Sequence, residues 1–122
     1  EWVAFVPFAA RYPYEIHLAP KRSVMRLPDL DEAASAGFAE VYLEALRRLD
    51  GVFNVEMPYI AAWHQAPVRK GEDLLKLHWQ ITSVRRAPGK LKYLAGSESA
   101  MGAFIMDVTP EQSAAQLREV KL

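Results

Sequence analysis

The sequence contains no cysteine. A disulfide framework, a thiolate zinc centre and a cysteine nucleophile are all excluded by that absence. Charge of either sign is not in surplus: 15 Lys and Arg stand against 15 Asp and Glu, a formal net charge of zero. Nucleic acid as the main partner is excluded on this ground, because binding a phosphate backbone draws on a basic excess. A small phosphorylated ligand needs only a few local donors and is not excluded. No apolar run nears the roughly 20 residues of a membrane span, and no secretory leader pattern is present. The cytoplasm is therefore the default location. Gly-x-Gly-x-x-Gly and P-loop patterns are missing, and Ser83, Ser97 and Ser99 lack a Gly-x-Ser-x-Gly setting. The chain also lacks an initial methionine and opens on an apolar run, Glu1-Trp2-Val3-Ala4-Phe5-Val6-Pro7-Phe8. That start suggests a segment of a longer polypeptide.

What is present fits one domain. The 122 residues are 51% hydrophobic and 25% charged, and a chain of this size buries about two-thirds of its unfolded surface. Residues 2–7 read as a buried strand stopped by Pro7. Between Pro13 and Pro20 the pattern alternates, with Tyr14, Ile16 and Leu18 on one face and Glu15 and His17 on the other. A helix is expected over about 30–49, with Asp29 as N-cap, Glu32 completing a capping box and Gly51 as the left-handed terminator. Its stripe is Ala34, Phe38, Val41, Tyr42, Ala45 and Leu49, and Glu44 and Arg48 pair on the outer face. A strand is expected over 52–61. Another covers 75–82, with Leu75, Leu77, Trp79 and Ile81 opposite Lys76, His78, Gln80 and Thr82. A basic turn, 85–90, leads to a short extended piece ending at Gly96. Residues 97–108 read as irregular, and Thr109, Pro110 and Gln112 open a final helix. The fold class is α+β, an antiparallel sheet with one long helix and a C-terminal helix on one face.

Of the three histidines, His17 reads as a surface or locally hydrogen-bonded side chain. The polar row containing His78 is either a solvated sheet face or the floor of a site. His64, in Trp63-His64-Gln65-Ala66-Pro67, can meet His78 across neighbouring strands, and two neutral imidazoles suit zinc or iron. Two are not a complete ligand set, and Gln80 is a poor ligand for either metal. Lys90, Lys92, Tyr93, Ser97 and Glu98 form a compact set of donors with one acceptor, which reads either as an exposed turn or as a place for a sugar phosphate.

The segments together resemble the C-terminal half of galactose-1-phosphate uridylyltransferase, of the histidine-triad superfamily. The resemblance runs through Val6-Pro7-Phe8, Pro13-Tyr14-Glu15, Pro20-Lys21, Asp29-Leu30, Met57-Pro58-Tyr59, Trp63 to Pro67, Leu77-His78, Lys92 to Glu98, and Asp107 to Gln112. It implies a histidine-triad-like half over residues 1–122. The family exchanges UMP between UDP-glucose and galactose 1-phosphate through a uridylyl-histidine. Its nucleophile belongs to a His-Pro-His motif of the N-terminal half, and no such motif occurs here. The resemblance implies that this chain alone is inactive and works with that half. It implies a zinc or iron site using His64 and His78, left incomplete because Gln80 stands at the third position and the carboxylate ligand lies upstream of Glu1. The superfamily's His-x-His-x-His row reads His78-Trp79-Gln80-Ile81-Thr82 here. It further implies hexose and phosphate contacts from Lys92, Tyr93, Ala95, Ser97 (where better-known members carry tyrosine) and Glu98. UDP-glucose or UDP-galactose and a hexose 1-phosphate are the implied substrates, and a homodimer the implied assembly. Two alternatives stay open: another nucleotide phosphorylase or adenylyltransferase of the superfamily, and a non-catalytic domain that binds nucleotide sugar or completes a dimer.

Overall fold

Strand alternation around Pro13 and Pro20 builds the middle of a sheet. The computed structural model describes residues 1–122. Strands β1 (Trp2–Phe5), β2 (Tyr14–Pro20), β3 (Tyr59–His64) and β4 (His78–Ser83) form one antiparallel sheet in the order β1-β2-β4-β3. The register sets Ile16 opposite Ile81 and Leu18 opposite Trp79, so the apolar residues of both central strands share one face. That face is covered by α1 (Glu32–Phe53), which brings Ala45 and Leu49 onto Ile16, Leu18 and Ile81. The expected α+β arrangement is the one observed.

Trp2 shows how the edge strand is fastened. Its indole is buried beside Phe38 and Trp63 and donates from Nε1 to the Ala34 carbonyl at 2.7 Å. Phe38, Tyr42, Trp63 and Trp79 complete the aromatic cluster between helix and sheet.

Several boundaries differ from expectation, each for a local reason. The first strand ends at Phe5 rather than Pro7, and because it lies at the sheet edge only Trp2 of it is buried. Asp31, not Asp29, caps the long helix by accepting from Ala34 N–H at 2.8 Å, while Asp29 ends a short 3-10 turn, Leu27–Asp29. Gly51 does not stop the helix. Val52 and Phe53 continue its apolar stripe onto the core, and Asn54 takes the left-handed position with φ 52°. The strand expected over 52–61 is therefore helix at its start and becomes β3 only at Tyr59. Asp50 shapes the turn by accepting from Met57 N–H at 2.8 Å. The strand expected from 75 begins at His78. Leu77 is still buried but bonds through its N–H to Val24 outside the sheet, and Lys76 lies beyond the polar row.

The basic turn is a small hairpin of β5 (Arg85–Ala87) and β6 (Lys90–Leu91). Residues expected to be irregular include a short helix, α2 (Gly96–Met101), whose Glu98 accepts from the Ala95 N–H at 2.9 Å. Six residues are too few to show a periodic stripe in sequence. The final helix, α3 (Pro110–Glu119), opens with the expected reciprocal bonds between Thr109 and Gln112 and buries Leu117 against α1. Glu44 and Arg48 do pair, but Arg48 also donates to the carbonyls of Leu117, Arg118 and Val120. This side chain caps the C-terminal end of α3 rather than decorating a free surface.

Candidate functional site

The sheet face opposite α1 carries all three histidines. Period-two geometry on β2 sends Glu15 and His17 to this face, and on β4 it sends His78, Gln80 and Thr82. The β3–β4 register sets His64 directly opposite His78, as the sequence reading anticipated, and the two rings stack at 4.8 Å and 7°. His17 stacks on the other side of His78, with 5.6 Å between ring centroids. The polar row is thus a three-imidazole stack spanning three strands.

Beside the stack, on the same face, lies a buried acid. Glu15 is only 4% exposed. One carboxylate oxygen accepts from His17 Nε2 and from Gln80 Nε2, each at 2.9 Å, and the other accepts from Arg11 N–H at 2.8 Å. Burial pushes this carboxyl upward, but the bonds from His17 and the Arg11 backbone outweigh it and hold Glu15 below its ordinary value. Glu15 was legible only as an alternating polar residue; nothing in the pattern marked it as buried.

These contacts settle which ring nitrogens carry protons. A carboxylate and a backbone carbonyl can only accept. His17 therefore donates from Nε2 to Glu15. His78 donates from Nδ1 to the Lys76 carbonyl at 2.9 Å. Burial, and then the neighbouring His78 and His17 rings, pull His64 below the ordinary histidine value, while a hydrogen bond with the Gln80 side chain works the other way.

The donors present do not fit a zinc or iron centre. Two nitrogens at 2.0–2.1 Å from one tetrahedral ion lie about 3.3 Å apart with their lone pairs converging. Parallel stacked rings do not converge. Gln80, at the position of a third ligand, has its amide nitrogen committed to Glu15. No three His, Cys, Asp or Glu side chains are gathered in a ligating arrangement.

A second cluster lies in the segment after β6. Lys92 and Glu98 are brought together as an ion pair, Nζ to Oε2 at 2.5 Å, with side chains only 3% and 2% exposed. Lys92 Nζ also donates to the Ile105 carbonyl at 2.7 Å, and Glu98 accepts from the N–H groups of Ala95 and Ile105. Glu98 is held down to about 2 by the Ala95 N–H first and by Lys92 next. The pair closes residues 92–105 into a compact loop. Tyr93 projects from that loop with 82% of its surface exposed, Ser97 and Ala95 are half-buried, and Lys90 is exposed on the hairpin. Sequence spacing foresaw the residues but not that the two charged ones face each other.

Comparison with known proteins agrees with this architecture. A galactose-1-phosphate uridylyltransferase of Streptomyces lividans is 41% identical over 98% of this chain, and one of Thermotoga maritima 37% identical over 99%. This chain spans 36% and 39% of the length of those two relatives. A solved uridylyltransferase structure superimposes with a TM-score of 0.90 at 39% identity, covering 98% of this chain and 38% of that one. An ADP-glucose phosphorylase from Arabidopsis thaliana, solved with bound ADP-glucose, gives 0.85 at 29% identity, covering 99% of this chain and 38% of that one. The family model for the C-terminal domain of galactose-1-phosphate uridyl transferase matches residues 1–122, and the chain belongs to that family.

Proposed function

We propose that this chain is the substrate-orienting half of a nucleotidyltransferase that moves UMP between UDP-glucose or UDP-galactose and a hexose 1-phosphate. The uridylylated histidine would arrive from the N-terminal half of the same enzyme, since no His-Pro-His motif occurs among these residues. A cytoplasmic homodimer is the form in which we expect it to work.

The observation that carries this reading is the Lys92–Glu98 pair. A buried ammonium and carboxylate are costly unless their bonds are filled, and here each is engaged by the other and by backbone. Lys92 uses two of its three N–H groups in this way. The third would go to a phosphate oxygen in this reading, and the remaining Glu98 lone pairs to a sugar hydroxyl. Tyr93, Ala95 and Ser97 lie between them in the chain and would add contacts to a hexose phosphate. In this reading the loop is preorganised, so little ordering cost falls on substrate binding.

A second reading has support of its own. The Arabidopsis thaliana neighbour is an ADP-glucose phosphorylase, so the same half-fold serves an adenylate donor there. The donor base would then be chosen outside residues 92–98.

Exchange between UDP-glucose and galactose 1-phosphate tests the proposal, measured with this chain alone and with the upstream half joined to it. Activity only in the joined form is expected. Turnover with ADP-glucose and none with UDP-glucose would move the assignment to the second reading. Absence of turnover with either donor would leave a nucleotide-sugar-binding or dimerisation domain.

A further inference from the structure

Glu15 is the one buried carboxylate on the histidine face, and the proposed transfer reaction gives it no task. Its position is well defined. On β2 it lies opposite Thr82 of β4, one pleat from the His17–Gln80 pair. It gathers His17, Gln80 and the Arg11 N–H onto its two oxygens. Because a carboxylate only accepts, the Gln80 amide must point its nitrogen at Glu15, and its oxygen is thereby turned away. A chain of contacts therefore runs from the Arg11 backbone through Glu15 to His17 and Gln80, and on through the ring stack from His17 to His78 and His64.

We propose that Glu15 is a positioning residue that fixes this histidine face by hydrogen bonds in the place where a zinc or iron ion would otherwise hold it. A metal ion orders imidazoles by drawing their lone pairs to one point. Here β2 and β4 are tied by donors converging on one carboxylate, and His64 of β3 is joined to them by stacking on His78. The two arrangements exclude each other: a ligating geometry would need the rings of His64 and His78 to tilt out of their stack. It would also need a donor in place of the Gln80 nitrogen. The site is thus a metal-independent version of a sheet face that ordinarily suggests a metal.

The experiment reads metal content and ring tautomers, so it does not depend on turnover or on which nucleotide the enzyme uses. The protein, carrying its upstream half, is purified from cells grown with added zinc and iron, and bound metal is measured. The wild type is expected to hold far less than one equivalent, and its thermal midpoint to be unmoved by a chelator. Gln80→His is expected to raise bound metal toward one equivalent. Long-range proton–nitrogen correlation spectra are expected to show His17 as the Nε2–H tautomer in the wild type and a mixture of tautomers in Glu15→Ala. Glu15→Leu, which fills the space without offering an acceptor oxygen, serves the same purpose if Glu15→Ala fails to fold: His17 loses its tautomer preference while the circular dichroism spectrum is retained. One equivalent of metal in the wild type, lost to chelator with a fall in midpoint, overturns the proposal. So does an unchanged His17 tautomer in both Glu15 variants.

Discussion

Lys92 and Glu98 meet as a closed ion pair inside the loop that the family resemblance assigns to substrate. Their charged atoms are satisfied mainly by each other and by the backbone of Ala95 and Ile105. A residue with that double engagement has two separable duties, holding the loop and touching the ligand. Lys92→Met should remove both. It leaves a buried carboxylate without its partner, so the thermal midpoint falls, and the Michaelis constant for hexose 1-phosphate rises. Replacing both partners by apolar residues, Lys92→Met with Glu98→Leu, restores much of the midpoint, because burying two apolar groups is often no worse than burying a pair. The Michaelis constant should stay high in the double variant. An unchanged constant in Lys92→Met would remove the substrate role and leave only the structural one.

The same pair sets an acid limit on the fold. Glu98 titrates near 2 in the folded chain against an ordinary 4.5. Its folded value is depressed, so its contribution to stability is complete above about 4.5 and is lost as pH falls toward about 2. Glu15 is depressed as well and acts in the same direction. Denaturant midpoints should therefore decline modestly below about pH 6.5, where the unfolded chain protonates His64 before the folded one does, and fall steeply below about pH 5. Glu98→Gln, less stable at neutral pH, should show a shallower fall over that acid window. An identical acid slope in the variant would mean that other carboxylates govern the transition.

Most of the sheet was legible because strands announce themselves by alternation. Tyr14, Ile16 and Leu18 are buried as their spacing implied, and His64 meets His78 where two neighbouring strands would bring them. What escaped was set by tertiary contact. Gly51 looked like a helix terminator, yet it is a glycine because another part of the chain passes close to it. Glu15 was placed only as a polar residue on the face opposite Tyr14, Ile16 and Leu18, yet it is the acceptor on which His17 and Gln80 converge. The Lys92–Glu98 pair needed a loop closure of six residues that no periodicity records. Ring stacking and side-chain direction are likewise invisible to spacing, which is why two histidines on one face suggested a metal.

Arg48 separates a decorative ion pair from a structural one. Its guanidinium pairs with Glu44 at 2.7 Å and also donates to the carbonyls of Leu117, Arg118 and Val120 at 3.0, 3.2 and 3.3 Å. An exposed i,i+4 pair is worth about 0.3–0.5 kcal/mol, whereas hydrogen bonds from a charged donor to half-buried acceptors reach about 1.5–3 kcal/mol. Arg48→Met should therefore destabilise the fold by about 2 kcal/mol and loosen α3. Glu44→Gln should change stability by no more than about 0.5 kcal/mol. Equal effects of the two substitutions, read from urea midpoints, would contradict the capping role.

Gly51 offers a test in which two effects oppose each other. Within α1, replacing glycine by alanine ordinarily favours the helix by about 1 kcal/mol. At this position a Cβ would run into the Val120 side chain, closer than such atoms approach. Val120 is β-branched and stiff about χ1, and its carbonyl is held by Arg48, so it yields poorly. Overpacking of this kind costs about 1–3 kcal/mol, and the clash should win. Gly51→Ala is expected to lower stability, and Gly51→Ala in a Val120→Ala background to raise it, because the collision is gone and the propensity gain remains. A reversal of sign between the two backgrounds, measured as a double-mutant cycle, would establish that Gly51 is kept for the close passage of residue 120; a gain in both would show that the segment after α3 simply moves aside.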